Sequence, residues 1–412
     1  MWGRILKTNA IYAIGSVANS AALFLLIPYL VNNLSTSEYG AWAIYEIMIL
    51  LLNILISAGM DIGLMREYWF LGNDSERSRL SGTVLMAVSL WGTALFGILV
   101  LSYWPLQRSA VFTQFHLDAF PTNSLLLVYL ISYFETLFTV MLAIFRIREQ
   151  AIHYVVLSVG KLLLFLSCAI VGIRLTGNIN GALAGRLLAA CLGVAGAGFF
   201  VFRMVRLEFD LNQLKRVLRY GLPLVPVNLS SYILISADRY FLNATSTLAV
   251  VATYTFAHKI ASTLDILITR PFAIDWAARR FRIAAQEGAQ RKYAEIFIYY
   301  FFISSLSALG LIALSPIIYK LVAPAIYLEG LSVLPVIIFA VQIYGLSYAL
   351  NVGLVIKDKT PTVAIIGIIS AVFCVAIELW LIPNYGMAGA SWSILLSNII
   401  WTGGVTILSL KV

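Results

Sequence analysis

Long apolar runs alternate with short polar gaps along the whole chain. The runs lie at roughly 8–31, 40–64, 80–104, 121–145, 152–174, 179–202, 217–242, 248–273, 294–315, 330–355, 362–383 and 386–409. A helix needs about 20 mainly apolar residues to cross the hydrocarbon core of a bilayer, and each run reaches that length. Lipid offers no partner to a backbone N–H or C=O, so the runs are predicted to be helices. Membrane strands would show apolar–polar alternation in segments of about ten residues, and these runs do not alternate. The gaps are too short to hold a soluble domain. The expected fold class is an all-α membrane protein with twelve transmembrane helices. The first run follows Arg4 and Lys7 but contains Asn9 and Asn19 and lacks a small-x-small cleavage site. It reads as a retained helix rather than a cleaved signal.

Composition agrees and adds direction. Hydrophobic residues make up 61% of the 412 positions and charged residues 11%, a balance foreign to soluble proteins. Of 28 Lys and Arg residues, 20 fall at the termini or in alternate gaps, such as Arg77 and Arg79, Arg146 and Arg148, and Arg279, Arg280 and Arg282. The intervening gaps hold only Arg108, Arg174 and Lys320. Basic loops stay on the cytoplasmic side, so both termini are expected there. The net charge of +9 follows from this sorting and from anionic headgroups. It does not indicate nucleic acid, because no basic soluble module is present to bind one. Cys168, Cys191 and Cys374 sit inside runs without metal-like spacing, which points to packing. No cofactor or metal site is expected.

The most polar central stretch, 203–216, separates six runs from six. The expected domains are an N-terminal six-helix bundle, 1–206, and a C-terminal one, 207–412. An even number of crossings per half suits a parallel repeat about an axis along the membrane normal. Two local matches support duplication. Asn180-Gly181-Ala182 corresponds to Ala388-Gly389-Ala390 at an offset of 208, and Glu38 to Trp42 corresponds to Val250 to Tyr254 at 212. Gly181 and Gly185 are four apart, a spacing that lets membrane helices approach closely.

Charge inside a membrane is costly and marks function by default. The cations within runs are Lys161, Arg186, Arg239, Lys259 and Arg270; the acids are Glu46, Asp61, Glu135, Asp238, Asp265 and Glu378. Arg66 sits at the end of the run 40–64. In the run 248–273, His258, Ser262, Asp265 and Thr269 fall on one stripe of a regular α-helix, and Lys259, Thr263, Ile266 and Arg270 on the next. Glu46, Asn53, Ser57 and Asp61 fall near one face of the run 40–64. Such strips line a wet cavity or meet partners on another helix. The structural alternatives are a neutral Asp238–Arg239 pair, Lys161 and Arg186 as helix ties, and Glu135 and Glu378 as hydrogen-bonded acids. Asp74-Ser75-Glu76 has the look of a metal motif, but helix capping explains it better. The longest outer loop, about 105–120, is too short for a polymerase or ligase domain. The chain does not read as an enzyme.

Four segments carry a family resemblance. They are Leu34-Ser35-Thr36-Ser37-Glu38-Tyr39-Gly40-Ala41-Trp42, then Ala58-Gly59-Met60-Asp61-Ile62-Gly63-Leu64-Met65-Arg66. Tyr220-Gly221-Leu222-Pro223-Leu224-Val225-Pro226 with Ser236-Ala237-Asp238-Arg239-Tyr240 comes third, and Ile382-Pro383-Asn384-Tyr385-Gly386-Met387-Ala388-Gly389-Ala390 last. In this order, the chain resembles the multidrug/oligosaccharidyl-lipid/polysaccharide flippase superfamily, in its polysaccharide-transporter, O-antigen flippase-like branch. It departs from the family pattern at Glu378, where Asn is frequent, and at Val251-Ala252-Thr253-Tyr254, which lacks a usual glycine.

The resemblance implies two pseudo-symmetric six-helix bundles around a central cavity that opens alternately to each side. It implies a cargo of polyprenyl-pyrophosphate-linked oligosaccharide moved from the inner to the outer leaflet, with a proton or sodium gradient as drive. Burying a pyrophosphate requires matched cations. Arg66, Arg239, Lys259 and Arg270 are the expected phosphate contacts, with Arg suited to bidentate pairing. Asp61, Asp238 and Asp265 are the candidates for ion coupling. Expected partners are the lipid-linked oligosaccharide, membrane lipids, the coupling ion and polysaccharide polymerase machinery. The rivals are an ion-coupled multidrug exporter of the same superfamily and, from another class, a membrane-embedded glycan polymerase or transferase.

Overall fold

The computed structural model describes residues 26–107, 116, 120–284, 286–357 and 359–411. The run 8–31 lies largely outside them. The described residues form helices and contain no strand. In order these are α1 Thr36–Ser57, α2 Met60–Glu67, α3 Asp74–Gln107, α4 Thr122–Ile147, α5 Ala151–Thr176, α6 Ile179–Val201 and α7 Leu211–Gly221. They continue with α8 Val225–Thr245, α9 Leu248–Leu264, α10 Arg270–Ala284, α11 Ala289–Val322, α12 Leu334–Leu350, α13 Val352–Ile356 and α14 Thr360–Leu410. Nine helical stretches among the described residues are long and apolar enough to cross a membrane. Together with the apolar character of the chain, they make this a multi-pass membrane protein.

One of the nine, Pro361–Leu410, runs 50 residues and holds two of the apolar runs. Its backbone leaves the helical region at Gly386 (φ 55°, ψ −130°), just after Pro383. A side chain on Gly389 would strike the carbonyl of Leu381 at 2.2 Å, so the chain folds back on itself here. In a continuous helix those two residues would lie about 12 Å apart.

The chain divides into two compact units. Unit 1 comprises 1–34 and 44–229; unit 2 comprises 35–43 and 230–412. The segment 207–229, expected at the head of the second bundle, packs with unit 1. The reason is the amphipathic helix α7. Gln213, Val217 and Gly221 form its buried stripe. Gly221 lies against Gly59 so closely that a methyl group on either would overlap the other's carbonyl oxygen at 2.2 Å. Asp210 caps α7 by accepting from the backbone N–H groups of Asn212 (2.9 Å) and Gln213 (3.2 Å). The Gln213 N–H, more than the others around it, holds the Asp210 carboxyl below its ordinary value.

Unit 1 shows how small residues set helix contacts without a hydrophobic driving force. Gly181, Gly185, Ala189, Gly193 and Ala197 recur every four residues as a buried stripe of α6. A methyl group on Gly181 would meet the Gly172 carbonyl at 2.2 Å, and one on Gly185 the Cys168 carbonyl at 2.3 Å. The α5–α6 hairpin is thus closed by backbone on backbone, as the Gly181/Gly185 spacing predicts. The Asp74-Ser75-Glu76 segment opens α3, with the Asn73 side chain accepting from the Glu76 N–H at 2.8 Å, a capping role.

α1 and α2 do not form one helix. Ala58 (φ 46°) and Gly59 (φ 72°) both take left-handed backbone and break it. The face expected to carry Glu46, Asn53, Ser57 and Asp61 is therefore cut, and Asp61 falls in the first turn of α2. Asn53 instead accepts from Thr136 of α4 at 3.2 Å.

Candidate functional site

Unit 2 holds two polar clusters. The first is buried. Asp238 and Arg239 lie on α8, Tyr254 and His258 on α9, Cys374 and Glu378 on α14. Asp238, Tyr254 and Glu378 are fully buried. Asp238 Oδ1 accepts from the Arg239 backbone N–H at 2.9 Å and lies 3.5 Å from Arg239 Nη1. The same Nη1 donates to the Ile235 carbonyl at 2.7 Å. Cys374 Sγ donates to Glu378 Oε1 at 3.4 Å. The second oxygens, Asp238 Oδ2 and Glu378 Oε2, have no hydrogen-bond partner among the described residues. Tyr254 faces Asp238 without closing a hydrogen bond, and Asp238 and Glu378 act on each other electrostatically. Two carboxyl groups and one guanidinium thus share an apolar interior.

The second cluster is built on a backbone irregularity. Asp265–Thr269 forms one π-helical turn between α9 and α10. Pro271 follows and has no N–H to offer the preceding turn, a physical reason for the ladder to slip here. The Arg270 N–H donates to the Asp265 carbonyl, five residues back. In an α-helix, residues five apart point about 140° away from each other. The π turn stacks them, and Arg270 Nε meets Asp265 Oδ2 at 2.7 Å. Arg270 remains 54% exposed. Tyr344 and Tyr348 of α12 feel the Asp265 charge, and Tyr348 that of Arg270.

The regular stripe His258–Ser262–Asp265–Thr269 is corrected by this turn. Thr269 rotates into the core, where Tyr300 of α11 donates to its hydroxyl at 3.1 Å and Gly345 leaves it room. Arg270, expected on the neighbouring stripe, joins Asp265 instead. Lys259 is half-buried on α9, near enough to His258 to act on it.

Unit 1 contains Arg66 and Asp61. Arg66 Nη1 pairs with Glu67 at 2.9 Å, and its guanidinium lies 4.5 Å over the Tyr220 ring and 5.2 Å over Phe70. Asp61, at the start of α2, feels Arg146 of α4. Unit 1 also brings together three charges from separate helices. Glu135 of α4 accepts from Lys161 Nζ of α5 at 2.8 Å and from Arg186 of α6, Nε at 3.2 Å and Nη2 at 3.0 Å. Glu46 of α1 also acts on Arg186. Lys161 and Arg186 tie helices together, and Gly193 gives the Lys161 stem its space.

Sequence reasoning missed the Tyr344–Tyr348 pair, although its spacing of four in an apolar run was a usable signal. It also left Glu378 outside the coupling set, because its proximity to Asp238 arises only from packing α14 on α8.

Residues 5–274 match the family described as polysaccharide biosynthesis protein, which is more than half of the chain. The chain belongs to that family. A Lsg locus protein of Haemophilus influenzae is 22% identical over 275 residues, 64% of this chain. The match spans 63% of that curated relative's length. Among solved structures, the lipid II flippase MurJ in an inward closed conformation has a TM-score of 0.74 at 15% identity, covering 99% of this chain and 87% of that one. An inward-facing multidrug resistance MATE family transporter of the MOP superfamily has a TM-score of 0.69 at 16% identity, covering 96% and 93%. At these identities the likeness is one of fold. This family member has the fold of the multidrug/oligosaccharidyl-lipid/polysaccharide flippase superfamily.

Proposed function

We propose that the protein is a flippase for polyprenyl-pyrophosphate-linked oligosaccharide, such as an O-antigen or other surface-polysaccharide repeat unit. In this reading it has no enzymatic step and works by alternating access in a bacterial inner membrane. Twelve transmembrane helices form two six-helix bundles with both termini cytoplasmic. The observation that carries the reading is the half-exposed Asp265–Arg270 pair beside Tyr344 and Tyr348. A guanidinium whose charge reaches the Tyr348 phenol suits a phosphate beside a sugar face. A cavity for organic cations would instead need acids in excess. Family membership and the MurJ-like fold support the same direction.

In this proposal Arg270 and Lys259 attract the pyrophosphate in unit 2, and Arg66, held over Tyr220, is a separate phosphate-attracting group of unit 1. Arg239 serves Asp238 instead, since its guanidinium is buried and already engaged. Coupling to protons or sodium falls to Asp238 with Glu378, because two buried carboxyls with one guanidinium reach neutrality by taking up one cation. Asp61 and Asp265 are secondary coupling candidates, and the polymerase machinery would take the product.

The test is reconstitution into proteoliposomes with a fluorescent polyprenyl-pyrophosphate oligosaccharide, scoring its exposure to an added glycosidase. The wild type should expose the cargo, and Arg270→Ala and Lys259→Ala should slow this at equal protein levels. Extrusion of ethidium with no glycan movement would establish the drug-exporter reading instead. Full activity of both variants would remove the phosphate role.

A further inference from the structure

Unit 1 has a second feature that the flippase reading does not use. The break at Ala58 and Gly59 leaves a ledge between α2, α3 and α7, and an open crevice of about 460 Å³ sits on it. That volume falls in the range of small-ligand pockets, about 300–1,000 Å³. Ala58, Ala87 and Ala94 provide the room, and Trp91, Leu218 and Leu222 form much of the wall. Every lining side chain is apolar apart from the Trp91 ring nitrogen, which already donates to the Leu55 carbonyl at 2.9 Å. The crevice therefore offers a sugar no hydrogen-bonding side chain and suits a hydrocarbon chain.

The helix that walls the crevice also supplies charge beside it. Around α7, the stripe Gln213–Val217–Gly221 faces the protein. The next stripe, Leu214–Leu218–Leu222, lines the crevice. The stripe after that presents Lys215 and Arg219, four residues apart and exposed. Neither makes an ion pair among the described residues. The neighbouring acids are engaged: Glu208 and Asp210 with Arg79 at 3.6 and 3.4 Å, and Glu67 with Arg66 at 2.9 Å and Arg216 at 3.9 Å. Two cations without an ion pair among the described residues thus stand on the amphipathic helix that walls an apolar slot.

We infer that this crevice seats an anionic phospholipid of the surrounding membrane, with one acyl chain in the slot and the phosphodiester on Lys215 and Arg219. The occupant is a membrane phospholipid rather than the cargo, because the sugars of a lipid-linked oligosaccharide would find no hydrogen-bonding side chain along the slot. The bound lipid braces α7 against α2 and α3.

The test uses the full chain in detergent and native mass spectrometry with phosphatidylglycerol and phosphatidylcholine of identical acyl chains. Phosphatidylglycerol adducts should exceed phosphatidylcholine adducts by on the order of tenfold, as two surface cations would give. Lys215→Gln/Arg219→Gln should remove that excess while leaving the melting temperature unchanged, since both side chains are exposed and make no ion pair among the described residues. Ala94→Phe, which fills the slot, should lower adducts of both lipids. Equal adducts of the two lipids on the wild type would overturn the proposal, as would an excess that survives Lys215→Gln/Arg219→Gln. Displacement of phosphatidylglycerol by a polyprenyl-pyrophosphate oligosaccharide would also overturn it, assigning the slot to the cargo's tail.

Discussion

Replacing Glu135 with Leu should destabilise the protein more than any other single change to a charge in unit 1. The carboxylate receives three hydrogen bonds from two cations at 2.8, 3.0 and 3.2 Å. All three side chains are largely enclosed, with 12% exposure for Glu135, 18% for Lys161 and 15% for Arg186. At such distances each contact is worth roughly 5 kcal/mol in gross terms at an effective dielectric of about 20. Most of that is offset by the desolvation of the charges, so the intact triad adds little net stability. Removing the acid alone is different. It leaves two buried cations facing each other, and breaking a buried pair this way costs about 3–5 kcal/mol. The assay is thermal unfolding in detergent, followed by the monomer peak in size-exclusion chromatography. For a unit of roughly 200 residues, each kcal/mol moves the midpoint by about 2–4 °C, so a fall of roughly 6–20 °C is expected. The triple change Glu135→Leu/Lys161→Met/Arg186→Met should recover much of it, because no cation is left facing the lost carboxylate, with Glu46, which also acts on Arg186, holding the recovery short of complete. A single variant that melts within about 2 °C of wild type would refute the reasoning. So would a triple variant as damaged as the single one.

The remaining predictions concern backbone contacts, capping and coupling. Gly59→Ala should cost more than Gly221→Ala by about 1–2 kcal/mol in the same melting assay, because both crowd the same contact but only Gly59 has a positive φ. Asp210→Ala should speed hydrogen exchange across 211–221 at neutral pH. In the wild type the same protection is present above the ordinary Asp value of about 3.9, and is lost as pH falls through the lowered value in the folded protein. Asp238→Asn should leave downhill movement of the fluorescent cargo in proteoliposomes in place while abolishing its response to an imposed proton or sodium gradient, read by glycosidase exposure.

Much of the architecture is legible in the residues alone. Apolar runs of membrane length must be helices, because lipid leaves the backbone no other partner. The spacing of Gly181 and Gly185 states that α6 packs closely, and the family motifs point to the fold that the comparisons show. The roles of the buried charges were less visible. Lys161 and Arg186 could be named as helix ties, but their common partner Glu135 lies 26 and 51 positions away in the chain. Only the packing of α4, α5 and α6 selects it. Asp238 and Glu378 meet across a still longer separation.

What the sequence determined by itself is that its apolar runs are helices of membrane length, because that depends on local composition and on the solvent. What the tertiary structure decided is every exception to that periodicity. The break at Ala58–Gly59 removes Asp61 from the face of α1, and the π turn at Asp265–Thr269 turns Thr269 inward and sets Arg270 on Asp265. A regular 3.6-residue helix cannot encode either event. Each depends on neighbours that accept the displaced side chains: α7 against Gly59, and Tyr300 against Thr269.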